Sequence, residues 1–367
     1  MLEKALAVAV LVLGLGSAQA AEFFTIDSSF KFAYLDLIGG VDSSTFDVGS
    51  DTERIALFLG GKHLVFERDS YQHVANGTIV WSGKSLRARD ATYLYVAKNG
   101  ADTSIKLVEG NVEYDIIKDS SGDYELRATD LDNTAAEECL ADSDHKVDSG
   151  ASQQAGTDSI TTVVVTPPLE ITVNLAYTKA TLAQYPSATA LKNAFVIGLG
   201  RTNNTLKNSN LNVRVKLGRS VFVREYTENS SLKLVRQDVE AGLVPGLPVP
   251  SGKNKTVLVV DTYAPYNGTA ILGGPYVVIK YHAISTLTLA HELGHTFGAT
   301  HLRAYQFTNG RYTVMAPFQY GTLREPIYSN PMVQWFGEPA GTSTLFNAKR
   351  MCNEFFKLGT GCWITPQ

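Results

Sequence analysis

Apolar residues in the first third of the chain recur with a period of two. Thr92-Tyr-Leu-Tyr-Val96, Ser104-Ile-Lys-Leu-Val108, Val112-Glu-Tyr-Asp-Ile116 and Tyr124-Glu-Leu-Arg-Ala128 alternate apolar with less apolar positions. That period predicts strands, since successive side chains of a strand point to opposite faces. Glu109-Gly-Asn111 and Ser120-Ser-Gly-Asp123 supply turns between them. From about residue 169 the period changes, and strand and helix patterns alternate. Glu170 to Ala176 predicts a first strand. Ser187 to Leu206 predicts a helix, with Leu191, Phe195 and Leu199 one turn apart. Leu211 to Val223 predicts further strand, and Ser231 to Ala241 a shorter helix with Leu232, Val235 and Val239 on one face. Thr256-Val-Leu-Val-Val-Asp261 is the uninterrupted apolar run of a buried strand. A closing helix is expected from about 343 to 357. Between the two patterns, residues 133–168 are rich in Ala, Ser, Asp, Gly and Gln and end in Pro167-Pro168. Such a segment cannot pack a core and is the easiest place to cut the chain.

The N-terminus changes the picture of where the protein works. Lys4, the apolar Ala5 to Gly16 and the triplet Ala18-Gln19-Ala20 read as a secretory signal peptide over residues 1–20. The apolar run is too short for a typical membrane span. The chain is therefore expected to be exported, to the extracellular space or a periplasm, with no membrane contact once processed. Its 367 residues suggest two domains, residues 21–132 and 169–367 around the 133–168 linker. A formal net charge of −4 gives no reason to expect a nucleic-acid partner, and a monomer is expected. Export permits disulfides. Of the three cysteines, Cys352 and Cys362 are close in sequence and expected to pair, which leaves Cys139 over.

The candidate chemistry sits in eleven residues, His291-Glu-Leu-Gly-His295-Thr-Phe-Gly298-Ala-Thr-His301. Residues i and i+4 of a helix share a face, so His291 and His295 can reach one metal ion. Gly298 can adopt φ > 0 and stop the helix, and the returning chain brings His301. Three nitrogens leave a fourth position of a tetrahedral zinc open, as a hydrolytic site requires. Glu292 stands beside the first histidine, near the metal rather than on it, where a general base belongs. The chain has seven histidines, and three of them fall in this stretch at fixed offsets, so chance is a poor explanation. Ser285 or Thr286 can cap the helix, and Leu289, Leu293 and Phe297 form its apolar stripe. His282 lies outside it and is read as a non-ligand. His63 and His73 are single, and no ligand spacing appears in the first half. No EF-hand-like calcium loop is present.

The H-E-x-x-H-x-x-G-x-x-H stretch resembles that of the metzincin zinc endopeptidases. Met315, in Tyr312-Thr-Val-Met-Ala-Pro317, is similar to their Met-turn methionine. Met-x-Pro is similar to the matrix metalloproteinase and adamalysin (reprolysin) branches, and secreted bacterial reprolysin-like proteases are the closest match. Leu302 departs from the Asp that adamalysins carry after the third histidine. Pro317 stands where astacins and serralysins have a tyrosine ligand, so none is expected here. The resemblance implies an α+β catalytic domain: a mixed twisted sheet, an active-site helix and a Met-turn. It implies one zinc on His291, His295 and His301, with Glu292 as general base and then acid, and Met315 as a packed floor. It implies a peptide or protein substrate bound extended along a sheet edge, which maps to about 269–274. Tyr328-Ser-Asn-Pro331 and Gly337-Glu-Pro-Ala-Gly341 resemble the segment that walls the specificity pocket.

The stretch from Trp81-Ser-Gly83 through the following strands resembles the pro-region of such proteases, implying a zymogen with a β-rich pro-domain. The alternative is a β module for substrate or carbohydrate kept in the mature protein. Cys139 can be a thiolate that blocks the metal, a cysteine switch, or a plain free thiol. Two rivals to a protease remain: a zinc hydrolase of a non-protein amide, and a silent binding protein of the same fold. Retention of Glu292 argues against the second.

Overall fold

The computed structural model describes residues 32–36, 48–59, 62–74, 77–86, 92–100, 102–110, 112–118, 124–130, 167–264, 266–317 and 323–363. The signal-peptide stretch, nearly all of the linker and Cys139 lie outside them. None of the described helices is long and apolar enough to cross a membrane.

The period-two region forms an eight-stranded sheet. Its strands are β1 (Phe32–Asp36), β2 (Arg54–Leu59), β3 (Lys62–Val74), β4 (Thr78–Ser85), β5 (Thr92–Asn99), β6 (Asp102–Glu109), β7 (Val112–Lys118) and β8 (Tyr124–Asp130). They pair in chain order. All pairs are antiparallel except β1 with β2. The alternation puts Trp81, Leu94, Val96, Ile105 and Leu107 into one core with Val48. Trp81 donates its indole N–H to the Thr52 carbonyl at 2.8 Å. The intervening residues do not face water as a half-buried strand would suggest. Val80, Tyr95, Ala97 and Val108 join a second core that belongs to the C-terminal half. The two faces of β4, β5 and β6 thus serve two cores.

The C-terminal half is built on a five-stranded sheet. Its strands are β9 (Leu169–Thr178), β10 (Val213–Val223), β11 (Lys255–Val260), β12 (Gly268–Ala270) and β13 (Tyr276–Lys280), in the spatial order β10-β9-β11-β13-β12. The first four run parallel, and β12 is antiparallel at the edge. Every residue of β11 is buried, as its unbroken apolar run requires. Val257 and Val259 face one layer, which holds helix α1 (Ala188–Asn208). Leu258 and Val260 face the other, where Leu232, Val235 and Val239 of α2 (Leu232–Glu240) pack. Ser187 and Ser231 cap these two helices through their side-chain oxygens.

The closing helix is shorter than its pattern suggests. It begins at Asn347 as α4 (Asn347–Arg350), which follows α3 (Leu287–Thr296) in the chain, and widens into a π turn over Met351–Phe356. Residues 342–345 instead form a turn closed by the Thr342 hydroxyl, which accepts from the Leu345 N–H. Cys352 and Cys362 are joined in a disulfide with Cα atoms 5.8 Å apart, both buried in the main core.

Candidate metal centre

The H-E-x-x-H stretch is helix α3 (Leu287–Thr296). Thr286, rather than Ser285, is its cap, and its hydroxyl oxygen accepts from the Thr288 N–H at 3.1 Å. The helix stops at Phe297 because Gly298 turns to φ 91°. There the Gly298 N–H donates to His295 O and the Ala299 N–H to Gly294 O, both at 2.9 Å. A side chain at Gly298 would resist that φ. Beyond the turn, Asn347 holds the chain from both sides. It accepts from the Thr300 N–H at 2.8 Å and donates to the Thr300 carbonyl at 3.0 Å. His301 follows, in a short 3-10 turn.

These elements bring the three predicted nitrogens to one point. The Nε2 atoms of His291, His295 and His301 are 3.2, 3.1 and 3.0 Å apart in pairs. Tautomers follow from the other ring nitrogens. Nδ1 of His291 lies 2.8 Å from the Val314 carbonyl oxygen, and Nδ1 of His295 lies 3.0 Å from that of Ala299. A carbonyl only accepts, so both Nδ1 atoms carry the hydrogen and both Nε2 atoms keep lone pairs. Burial, then the Arg324 charge and the other two imidazoles, holds His291 well below the usual imidazole range. The His291 and His295 lone pairs, 3.2 Å apart, repel unless a proton or a cation lies between them. Tetrahedral zinc at about 2.0–2.1 Å from each nitrogen needs ligand atoms about 3.3 Å apart, so the observed triangle fits. Among the described residues this is the one cluster of three metal-ligating side chains. His282 is outside it, its Nε2 2.7 Å from the Asn267 side-chain oxygen.

Glu292 is buried, and its position explains a glycine. A Cβ on Gly268 of β12 would lie 2.6–2.9 Å from Glu292 Cγ, Cδ and Oε1. The edge strand therefore leaves a slot that the carboxylate arm fills. Met315 is fully buried under the same helix. A Cβ on Gly294, directly before His295, would meet Met315 Sδ at 2.6 Å and Tyr328 Cε1 at 2.8 Å. The turn is pinned on both sides. Arg324 donates to the Ala316 carbonyl at 2.8 Å, and the Val314 N–H donates to Ile327 O at 2.9 Å. The turn thus carries the carbonyl that orients His291.

Sequence reasoning missed the Val314 and Ala299 carbonyls, because a backbone oxygen has no sequence signature. It also missed Gly268 and Tyr328 as supports of the helix; Tyr328 donates its hydroxyl to the Ala290 carbonyl at 2.7 Å. Tyr328, Ser329 and Asn330 are all fully buried. They brace the interior, so these three do not form a surface wall.

No protein-family model matches the sequence, and no curated protein matches it. Among solved structures, the chain is similar to metalloproteinase-II from Bacteroides fragilis, with a TM-score of 0.53 at 13% identity. That likeness covers 89% of this chain and 99% of the other, so the fold is shared over nearly the whole of both. Promirolysin from Tannerella forsythia, in a mutant form, superposes with a TM-score of only 0.29 over 37% of this chain at 16% identity, and carries no weight here. The chain thus has a mixed α/β fold similar to that of a metalloproteinase, with a histidine triad able to hold a metal.

Proposed function

We propose that the protein is an exported zinc endopeptidase of metzincin type, made as a zymogen. The observation that carries this reading is the convergence of three histidine Nε2 atoms, two with their tautomers set by backbone carbonyls, beside a buried glutamate. His291, His295 and His301 would hold the ion; all-nitrogen sites of three histidines suit zinc. Zinc, when bound, polarises the scissile carbonyl and makes water acidic enough to react near neutral pH.

The chain's own residues do the rest. The Glu292 carboxylate takes the proton of the attacking water and returns it to the leaving amine nitrogen, work worth roughly 10²–10⁴-fold in rate. Gly268 gives that carboxylate its place, so the strand next to the substrate also sets the base. β12 stands at the sheet edge, where an extended peptide can add by backbone hydrogen bonds. That mode fixes the orientation of a peptide better than its sequence, and supports a protein substrate over a small amide. The signal-peptide stretch supports export, and residues 21–132 are read as the pro-region, with 133–168 as the segment cut on activation. Cys139 is retained as the candidate thiolate switch.

Glu292→Ala separates this reading from its rivals. The variant should bind one zinc per chain and cleave no casein. Cleavage at the wild-type rate would sink the assigned base. Zinc binding without casein or peptide cleavage by the wild type, nicked or intact, would favour a non-protein substrate or a silent fold.

A further inference from the structure

The surface between the N-terminal sheet and helix α1 is built like a permanent interface rather than a temporary cover. α1 is buried on every side from Phe195 to Leu206, although its sequence there includes Arg201, Thr202, Asn203, Asn204 and Thr205. Thr202 and Thr205 donate back to the Gly198 and Arg201 carbonyls of the helix, while Arg201, Asn203 and Asn204 are answered across the interface. Asn203 donates to the Gln72 side chain at 2.7 Å, and Asn204 to the Ser82 hydroxyl at 3.1 Å. The Val80 side chain packs close on the α1 backbone where the helix has a glycine: a Cβ on Gly200 would sit 2.9 Å from Val80 Cγ1. Val80, Tyr95, Ala97 and Val108 share one core with Phe195 and Leu199.

Charge is balanced across the same surface. Glu113 of β7 is buried and takes two cations, Lys106 of β6 at 2.9 Å and Arg201 of α1 at 2.8 Å. Lys106 also pairs with Asp115 at 2.9 Å. Arg201 lies over the Tyr95 ring, 5.4 Å from its centroid, and donates to the Ser285 carbonyl at 3.0 Å, next to the cap of α3.

We propose that the N-terminal sheet stays bound to α1 after the connecting segment is cut, so that the processed protein is a two-fragment complex. The partner surface is this chain's own β3–β7 sheet, and the contact is the shared core with the Lys106–Glu113–Arg201 cluster at its centre. This inference rests on the reading of residues 133–168 as the cut segment. Cutting by itself breaks none of the contacts named above. The sheet reaches the end of the metal helix away from His295 through Arg201 and the Ser285 carbonyl.

The test uses the full chain carrying Glu292→Ala and a site for a sequence-specific protease inserted between residues 150 and 151. After complete cutting, size-exclusion chromatography with light scattering at micromolar concentration should show both fragments in one peak of the parent mass. Two separate peaks would overturn the proposal. Lys207→Glu gives a second reading, because Lys207 is half-exposed and pairs with Asp69 of β3 at 2.9 Å without touching the core. Reversing that charge should weaken fragment association about two- to tenfold at low salt, and less at high salt. An association constant that does not move would show that another surface holds the fragments. The inserted site does the cutting, so neither outcome depends on the chain being a protease. The casein assay of the cut chain with Glu292 intact decides that question by itself.

Discussion

Two buried polar clusters lie in the same molecule and are completed in different ways. In the Lys106–Glu113–Arg201 cluster every charge meets an opposite one within 3 Å. Among the three histidines, the helix pair spend their Nδ1 hydrogens on backbone carbonyls, and the three Nε2 atoms converge on one point. The first cluster balances its charges within the chain. The second turns three ring nitrogens to one point, an arrangement able to hold a metal. Both clusters are polar and largely buried, so neither property by itself marks a functional site. What marks it is the sign of the group still required.

The largest expected effect breaks the second cluster. His295→Ala removes the nitrogen shared by two of the three contacts, and should reduce bound zinc from one per chain to a small fraction, measured by metal analysis after dialysis. Full zinc retention would mean the ion is held elsewhere. The first cluster should respond in stability, not in metal. Glu113→Ala leaves Lys106 and Arg201 buried beside each other and should cost about 3–5 kcal/mol, read by denaturant unfolding. The pH dependence has a definite sign. Arg201 and Lys106 outweigh the burial of Glu113 and hold its carboxyl below the usual value. Its contribution is therefore present above the unfolded carboxylate pKa, and is lost as pH falls through the lowered folded one. The stability gap between wild type and Glu113→Gln should narrow only in that acid range. A gap that widened toward acid would contradict the assignment.

Two smaller changes sharpen the contrast between metal and fold. Replacing Cys352 and Cys362 by serine opens a loop of sequence separation 10. It should cost about 3 kcal/mol by loop entropy, with zinc content unchanged. Gly268→Ala should cost about 1–3 kcal/mol by overpacking against Glu292. Its signature is functional: kcat falls while zinc stays. Equal loss of zinc and turnover would mean that Gly268 supports the ligands instead of the base.

Much of this was legible in the sequence, for reasons that differ by region. His291, His295 and His301 could be found because a helix and a glycine stop fix their offsets, and Gly298 does take the left-handed turn that spacing demanded. The strands of the N-terminal sheet followed from period two, β11 from its unbroken apolar run, and α1 and α2 from period 3.6. The period failed to tell which strand faces meet water. Thr92 to Val96 reads as half-buried, yet Tyr95 is buried because α1 covers that side. Glu113 gave no local sign of burial, since its partner Arg201 is 88 residues further on. The carbonyls of Val314 and Ala299 were illegible for a simpler reason: every residue has one.

The measurement that bears most directly on the account is zinc content paired with casein digestion, made on the purified chain before and after a cut within residues 133–168. The account predicts one zinc per chain, and casein cleavage that appears on cutting, disappears with a chelator and returns with added zinc. One bound zinc with casein left intact under every condition, or cleavage that a chelator does not touch, would contradict it.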